Sequence, residues 1–577
     1  MPNRDHLVFI FILAAITLLV YYDSFNNGFV YDDYPFLVEN PSVRKLDMKS
    51  ILADFTEMTS VSSDEKLARD VWRPLMTLSF ALDYRLWKLN ARFYHIENVF
   101  FHIANAILVY IATVLVIGDG FTAFIAAIVF AIHPVQTEAV TWVSGRSNVL
   151  FLFFFLSAFL AHVQNRRRGP RTPYYFLSLI FFSCSLMSKE MAIVLPLILI
   201  LYDIHFFRKD VRAGIGYYTP FFLVCVSYIL TRFSVLGVIA QKGEWWGSGF
   251  LDTAFVTLKA VAEYVRLLIV PVNLRVEYMA PSPKAIAGTQ ALAVFMTLAS
   301  VALLYAAVRR KKAASFYILW FFVALIPVYN IVPFKAVMAE RFLYLPLIGF
   351  AALFGILFSK VNTAERMAPP VKYCLVSILV SVMVAYGMIS ISRNIEWRDE
   401  ISFYTREAAL SASNPRAHYN LGYVYAKKAS ETAGSDKRTA GAYYALAIEE
   451  FKKAIALKPD SQSCYFALGN AYNALEWHDL AIKNFRKAAA IREDSYIYNN
   501  LGIAYYRKGM YDAALGSFRK ALRLDAGHRN ASVNLGNAYY MKRDYARAKQ
   551  AWLRVIRSGR TEAGLAESVK ALEKEGY

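Results

Sequence analysis

Charge is scarce in this chain. Only 19% of its 577 residues are Asp, Glu, Lys or Arg, against 57% hydrophobic, and the mean hydropathy is +0.34. That balance excludes an ordinary soluble globular protein. Cysteine is scarcer still, with four residues. Cys184, Cys225 and Cys374 lie in apolar runs and Cys464 stands alone in a polar stretch, so neither a disulfide framework nor a zinc spacing is present. No compact metal-ligand spacing occurs, and no metal or other cofactor is expected. Acidic residues are the minority charge, 44 against 64 basic, for a net +20. In so apolar a chain the excess Lys and Arg belong in cytoplasmic loops and beside anionic headgroups, not on nucleic acid. No small-residue cleavage site follows the apolar run at 7–22, so that run reads as a retained first span and not as a signal peptide. Residues 393–577 contain no run able to cross a bilayer, whereas 1–392 contain many. Two domains follow, a membrane domain over 1–392 and a water-exposed one over 393–577.

Apolar segments near 7–22, 94–117, 120–135, 148–163, 173–188, 191–206, 215–234, 287–308, 314–331, 342–358 and 372–392 give about eleven spans. The strongest basic loops are RRRGPR at 166–171, FFRKDVR at 206–212, RRKK at 309–312 and the segment Lys360 to Lys372, and the positive-inside rule puts all four in the cytoplasm. The stretch 251–271 is apolar but carries Lys259, Glu263 and Arg266. Read as an amphipathic helix on the outer surface, it keeps every basic loop inside and exports the C-terminal domain. The same accounting exports the first loop 23–93, HPVQTEAVTWVSGRS at 133–147, SKE at 188–190, the loop 235–286 and NIVPFKAVMAERF at 330–342. Expected is a multi-pass plasma (inner) membrane protein whose C-terminal domain is extracytoplasmic, or an ER membrane protein with that domain in the lumen if the source is eukaryotic.

The polar domain is periodic. Leu-Gly pairs stand at 421/422, 468/469, 501/502 and 535/536, each followed three residues later by Tyr425, Tyr472, Tyr505 or Tyr539. Ala447, Ala481, Ala514 and Ala548 each precede by four Phe451, Phe485, Phe518 or Trp552. This is the tetratricopeptide pattern, a helix pair per repeat, with about four repeats. The first unit is longer than the others, because extra residues within AKKASETAGSDKRTAG separate its two helices. Residues 398–415 read as the second helix of an incomplete leading repeat and 561–577 as a polar-faced cap. Such solenoids present a groove to a peptide or protein, for which Tyr425, Asn470, Asn500 and Asn534 are the acceptor-binding candidates.

Ionisable residues gather in the exported loops. Asp32 and Asp33 are adjacent in SFNNGFVYDDYPFLVENPSV, where mutual repulsion can poise one as a general base. His133, Glu138 and Arg146 fall within one short loop, and a desolvated Arg suits a lipid-borne phosphate. Lys189 with Glu190 and Glu340 with Arg341 stand at the outer ends of other helices, each pair also readable as a local ion pair. Polar residues from four loops converging on one side fit a site at the bilayer surface, whereas a channel would carry them inside its spans.

Beyond these residues, the sequence resembles the transmembrane and tetratricopeptide-repeat (TMTC-like) protein O-mannosyltransferases of the GT-C superfamily. The resemblance is carried by NGFVYDDYPFLVENPSV at 27–43, WRPLMTLSFALDY at 72–84, HPVQTEAVTWVSGRSNVL at 133–150, SKEMAIVLPLILILYD at 188–203, VMAERFLYLPLIGF at 337–350 and RNIEWRDEISFY at 393–404, then the repeats. It implies an all-α fold, a polytopic GT-C membrane domain followed by the repeat solenoid. It also implies a polyprenyl-phosphate sugar donor, of dolichyl type in eukaryotic members, whose sugar passes to a protein hydroxyl. An acid of the first outer loop is the implied base, which gives Asp32 and Asp33, with Asp32 slightly favoured as the match to the leading acid of the related Asp-Glu motif. Glu138 is expected as a second acid, and His133, Arg146, Lys189 and Arg341 as donor-phosphate ligands. The short repeat array and the absence of an ER-retention ending after Tyr577 favour a prokaryotic plasma-membrane enzyme, with mannose or another hexose as the sugar. Two other readings stay open: transfer to a cell-envelope glycan or lipid, and a non-enzymatic membrane scaffold.

Overall fold

The computed structural model describes residues 4–56, 71–169, 172–207, 215–238, 249–278, 310–330, 336–557 and 563–574, with a few isolated positions between. Among these the regular structure is helical and contains no strand. The chain forms two compact units, Met1–Phe403 and Tyr404–Tyr577, so the division falls after the boundary expected at 392/393. Residues beyond the last span are built into the first unit. The Gly28 N–H donates to Arg398 O (2.8 Å), and Trp397 is buried.

The membrane unit runs α1 (Arg4–Tyr21), α2 (Met48–Thr56), α3 (Pro74–Trp87), α4 (Ala91–Ile117), α5 (Gly120–Ile132), α6 (Arg146–Arg168), α7 (Pro173–Ser188), α8 (Leu195–Phe206), α9 (Ile215–Leu236), α10 (Phe250–Ile269), α11 (Lys312–Ala324), α12 (Leu347–Asn362) and α13 (Pro369–Glu396). Asn90 caps α4 by accepting from Arg92 N, Gly118 ends it at φ +84°, and Asp119 caps α5 by accepting from Thr122 N at 2.8 Å. That Asn–Gly–Asp punctuation turns two apolar helices into a tight hairpin.

Among the described residues five helices are long and apolar enough to cross a membrane, and a sixth if the bent pair Gly120–Ile132 and Pro134–Val140 is one span. Among the described residues the count of eleven is therefore not confirmed by length. α7, α11 and α12 are shorter apolar helices, and α8 starts only at Leu195-Pro196, after a 3₁₀ turn over Glu190–Val194. The proline suits a helix start and cannot continue one, which divides the apolar run at 191–206. Nearly all of the run at 287–308 lies outside the described residues, as do 57–70, 170–171, 208–214, most of 239–248, 331–335 and 575–577. The doubtful stretch 251–271 forms α10, which buries Thr253, Val256, Thr257, Ala260, Val261, Tyr264, Leu267 and Leu268. That three-and-four spacing is one helix face.

The break after α5 is the irregular feature that shapes the unit. His133-Pro134 bends the chain by 52°. A helix end inside apolar surroundings leaves carbonyls that no water can serve. Three are met by side chains: Phe130 O by Gln136 Nε2 (3.4 Å), Ala131 O by His102 Nε2 of α4 (2.9 Å) and Ile132 O by Ser390 Oγ of α13 (2.7 Å). Every residue of the following segment 133–147 is buried. α13 exposes much of its apolar length, including Val380, Val384 and Met388, but turns Arg393 and Asn394 inward. The Asn394 side chain donates to Val20 O (2.8 Å) and accepts from Thr141 Oγ1, and Arg393 Nε donates to Thr137 Oγ1 at 2.8 Å. Within the segment, a Cβ on Gly145 would stand 2.4 Å from Ala139 O, a backbone atom unable to yield. Gly145→Ala is accordingly expected to destabilise the detergent-solubilised chain by about 1–3 kcal/mol, read as a lowered melting temperature.

The second unit comprises α14 (Glu400–Leu410), which begins within the first, then α15 (Pro415–Thr432), α16 (Lys437–Leu457), α17 (Gln462–Ala474), α18 (His478–Ile491), α19 (Ser495–Arg507), α20 (Tyr511–Leu524), α21 (Arg529–Met541), α22 (Tyr545–Arg557) and α23 (Ala563–Lys574). The Leu-Gly spacing has a steric cause. A Cβ at Gly422, Gly469, Gly502 or Gly536 would meet the ring of Phe451, Phe485, Phe518 or Trp552 at 2.7, 2.6, 2.5 or 2.2 Å, so each glycine admits its own repeat's aromatic residue. α23 closes the array by burying Leu565, Val569 and Leu572 on it. The extra residues of the first unit do not form a long connection. They lengthen α15 and α16 to 18 and 21 residues, against 13 and 14 in α17 and α18, leaving a short turn at 433–436. Asp436 starts α16 by accepting from Arg438 N and Thr439 N.

Candidate active site

The two acids of the first loop have different surroundings. Asp33 is fully buried. Its Oδ1 accepts from Ser144 N (2.7 Å) and Ser144 Oγ (2.6 Å), and its Oδ2 accepts from Val30 N at 3.0 Å, so the carboxyl ties the first loop to the buried segment. Burial pushes this carboxyl up to about 7, against the pull of those three donors, with a further push from Asp32. Asp32 is partly exposed and belongs to a strained corner, because Tyr31 before it has φ 55°. A non-glycine residue in that region costs about 1–3 kcal/mol and persists only where its surroundings impose it. Here the Tyr31 ring lies 5.8 Å from Trp142 and 5.7 Å from Phe403.

Across from this corner stands the short turn Glu340–Leu343. Arg341 closes a bidentate arrangement on the buried Glu138: its backbone N–H donates to Oε2 at 2.7 Å and its guanidinium to Oε1. The guanidinium lies over the Trp142 ring (5.8 Å) and the Phe342 ring (5.3 Å). Burial works against its charge, and Glu138, with Tyr31 and Asp32 further out, more than offsets that, so Arg341 is held firmly cationic. Lys189 lies on the same Phe342 ring (5.7 Å) and donates to Asn148 Oδ1. Burial, with Arg73 and Arg341 nearby, drives its ammonium well below the usual lysine range. Asp32, Glu138, Lys189 and Arg341 thus share one neighbourhood.

Two expected phosphate ligands are engaged elsewhere. His133 is the hinge of the helix break: its Nε2 donates to Leu268 O (2.9 Å) and its Nδ1 accepts from Val135 N at 3.4 Å. Arg146 is completely buried. Nη1 pairs with Asp83 (3.0 Å) and Glu97 (3.1 Å), Nε donates to Asn98 Oδ1, Nη2 donates to Tyr94 O (3.2 Å), and the guanidinium lies 5.4 Å from the Phe80 ring. It organises the protein, with its donors turned to protein acceptors. The adjacent-residue ion pairs read from the sequence are also replaced. In these tight turns neighbouring side chains diverge, so Glu190 takes Arg73 through both oxygens (3.3 and 2.9 Å), and Glu340 takes Arg393 at 2.8 Å, with Tyr278 donating to its other oxygen at 2.7 Å. Arg73, inside WRPLM, is the functional candidate that carried no local signal; it enters through Glu190, next to Lys189.

In the repeat unit Asn470 Oδ1 accepts from Asn500 Nδ2 (2.8 Å), Asn500 Oδ1 from Asn499 Nδ2 (3.1 Å), and Asn499 Oδ1 from Asn534 Nδ2 at 3.0 Å. Three of the four expected residues therefore form one amide ladder across α17, α19 and α21. Tyr425 does not join it; it stacks on Tyr443 at 6.3 Å and packs against the core of the array.

The burial of Asp33 makes stability depend on pH. Its folded value near 7 lies above the ordinary carboxylate range, so its stabilisation is complete below about pH 4 and is lost as pH rises through 7, with a limiting slope of about 1.4 kcal/mol per unit. The melting temperature of the solubilised chain is expected to fall between about pH 5 and pH 8, and Asp33→Asn to flatten that fall. A melting temperature that rises over this window would contradict the assignment.

Fold and site together define a polytopic membrane protein with a buried charged cluster and a tetratricopeptide-repeat array. The family described as Tetratricopeptide repeat matches residues 462–495 and 495–528. A protein O-mannosyl-transferase of Caenorhabditis elegans is 28% identical over 72% of this chain and 59% of its own length. Human protein O-mannosyl-transferase TMTC3 is 22% identical over 91% of this chain and 58% of its own, and human TMTC2 31% identical over 34% and 24%. A MamA structure from Desulfovibrio magneticus is 20% identical over 28% of this chain and 85% of that one, with a TM-score of 0.25. These curated relatives are the transmembrane and tetratricopeptide-repeat proteins that the sequence motifs resemble. The chain spans less than two thirds of the length of the first two of them.

Proposed function

We propose that the chain is a GT-C-type membrane glycosyltransferase that moves a hexose, mannose by analogy with the names of its relatives, from a polyprenyl phosphate to Ser or Thr hydroxyls of proteins. The observation that carries this reading is the placement of a partly exposed carboxylate, Asp32, near a cation that Glu138 orients, Arg341. Asp32 takes the proton of the acceptor hydroxyl as its oxygen attacks the anomeric carbon. The bond from that carbon to the phosphate oxygen breaks on the opposite face, inverting the centre. The leaving polyprenyl phosphate carries off the electron pair and is neutralised by Arg341, with Lys189 as a hydrogen-bond donor beside it and Arg73 behind them. Glu138 acts by fixing Arg341, and Asp33 by fixing the loop that carries Asp32. His133 and Arg146 hold the scaffold. The reaction calls on no metal ion, since the positive charge comes from side chains.

Charge accounting over the basic loops supports reading the site and the repeats in the same extracytoplasmic or lumenal compartment, where the repeats hold the polypeptide acceptor. Mass spectrometry of extracytoplasmic proteins from cells with and without the gene tests this. Ser- and Thr-linked hexose is expected to disappear from a subset of peptides when the gene is removed. An unchanged glycopeptide profile would sink the reading.

A further inference from the structure

The lengthened helix pair of the first repeat does more than add bulk. Between α15, α16 and α17 opens a hollow of about 420 Å³. Tyr423, Ala426, Lys427, Ser430 and Glu431 of α15 form one wall, and Tyr444 and Phe451 of α16 with Ala467, Asn470 and Ala471 of α17 form the rest. Lys427, Ser430 and Glu431 stand on the last turns of a helix longer than its counterparts, so those turns raise this wall. Three alanines keep the interior open, the Phe451 ring lies against Gly422 at its base, and Tyr423 is 57% exposed at the edge. Asn470 lines this hollow and is also the first rung of the amide ladder.

We propose that this hollow is an anchor pocket for one aromatic or large aliphatic side chain of an extended polypeptide whose main chain runs along the partly exposed Asn470, Asn500 and Asn534 amides, which the buried Asn499 ties together. The proposal deepens, and rests on, the reading that the repeats hold the acceptor. The occupant follows from continuity between two features. Side-chain amides repeated on successive helices offer alternating donors and acceptors, which is what a peptide main chain presents, while an aromatic and alanine hollow at the end of that row accepts what a main chain cannot supply. Its volume lies toward the low end of ligand cavities, fitting one side chain with part of its backbone. Lys427 and Glu431 supply both signs of charge at the rim, so the pocket selects for apolar bulk and not for a charged residue.

The test uses the full chain in detergent, without donor, and fluorescein-labelled Ser/Thr-rich peptides that differ only in a central Trp, Leu, Gly or Asp. Fluorescence polarisation is expected to show the Trp and Leu peptides binding at least about tenfold tighter than the Gly and Asp peptides. Ser430→Trp, which puts an indole over the pocket from an exposed helix position, is expected to abolish that difference, and Tyr423→Ala to reduce it. Equal binding of all four peptides, a preference unchanged in both variants, or displacement of the Trp peptide by polyprenyl phosphate would overturn the proposal. Because no transfer is measured, a preference that stands while transfer fails retires the catalytic reading and keeps the pocket.

Discussion

Asp32→Asn is expected to lower sugar transfer by about 10²–10⁴-fold while leaving the melting temperature and the detergent elution profile unchanged, whereas Asp33→Asn is expected to do the reverse. The two residues are neighbours in sequence, and their environments separate them. Asp33 accepts three hydrogen bonds and is inaccessible to any substrate. An Asn there turns an amide N–H toward Val30 N or toward Ser144, leaving donors facing each other in a buried site, which costs about 1–3 kcal/mol at neutral pH. Transfer per folded molecule should survive it. Asp32 is partly exposed beside the Arg341 neighbourhood, and an amide in its place keeps the shape and loses the proton acceptor, whose contribution in general-base catalysis is of that magnitude. Transfer assayed with a synthetic polyprenyl-phosphate hexose and an acceptor peptide, beside thermal melts of both variants, decides the matter. Full activity in Asp32→Asn would remove the proposed base.

Arg146→Ala is expected to be the most destabilising substitution in the membrane unit, at about 3–5 kcal/mol, and to leave little folded chain in the membrane. Removing one partner of a buried ionic group strands the other. Here the Asp83 carboxylate would remain buried without its guanidinium, Glu97 and Asn98 would each lose a donor, and Tyr94 O would lose its side-chain donor. Arg146→Lys should recover only part of this, since one ammonium cannot reach acceptors that a planar fork reaches from three nitrogens. Protein yield after detergent extraction and size-exclusion profile report the effect. Reduced transfer in a chain of normal yield and stability would instead restore Arg146 to the substrate's side.

The contrast between these residues shows how much of the site could be seen in the sequence. Repeat units were legible because Gly469 and Phe485, or Gly502 and Phe518, recur at spacings set by the direct contact of a ring with a glycine. The long apolar helices were legible for the equally local reason of composition. Arg146 was not, because its partners come from α3 and α4, and no spacing within HPVQTEAVTWVSGRS announces Asp83 or Glu97. Nor were the true ion pairs. Lys189-Glu190 and Glu340-Arg341 look like pairs on paper, yet each splits its charges between distant partners, Glu190 to Arg73 and Arg341 to Glu138. The resemblance favours Asp32 of the acidic pair only by motif position, and burial gives the physical difference between Asp33, which holds the loop, and Asp32, which is left partly exposed. The extra residues in the first repeat read as a connector and folded as additional helix turns, because Asp436 caps the second helix and the Ala- and Lys-rich stretch before it has ample helix propensity.

The helix break after α5 also sets an order on the birth of the molecule. Carbonyl 132 finds its donor in Ser390 and the segment beyond it in Arg393 and Asn394, all on the last long apolar helix. While the chain is still being extended, Gln136 and His102 already serve carbonyls 130 and 131, and carbonyl 132 still lacks the donor it has in the finished fold. Closure of the break, as distinct from the site itself, therefore waits for residues 369–396, and a chain truncated before them lacks the partners of carbonyl 132, Thr137 and Thr141.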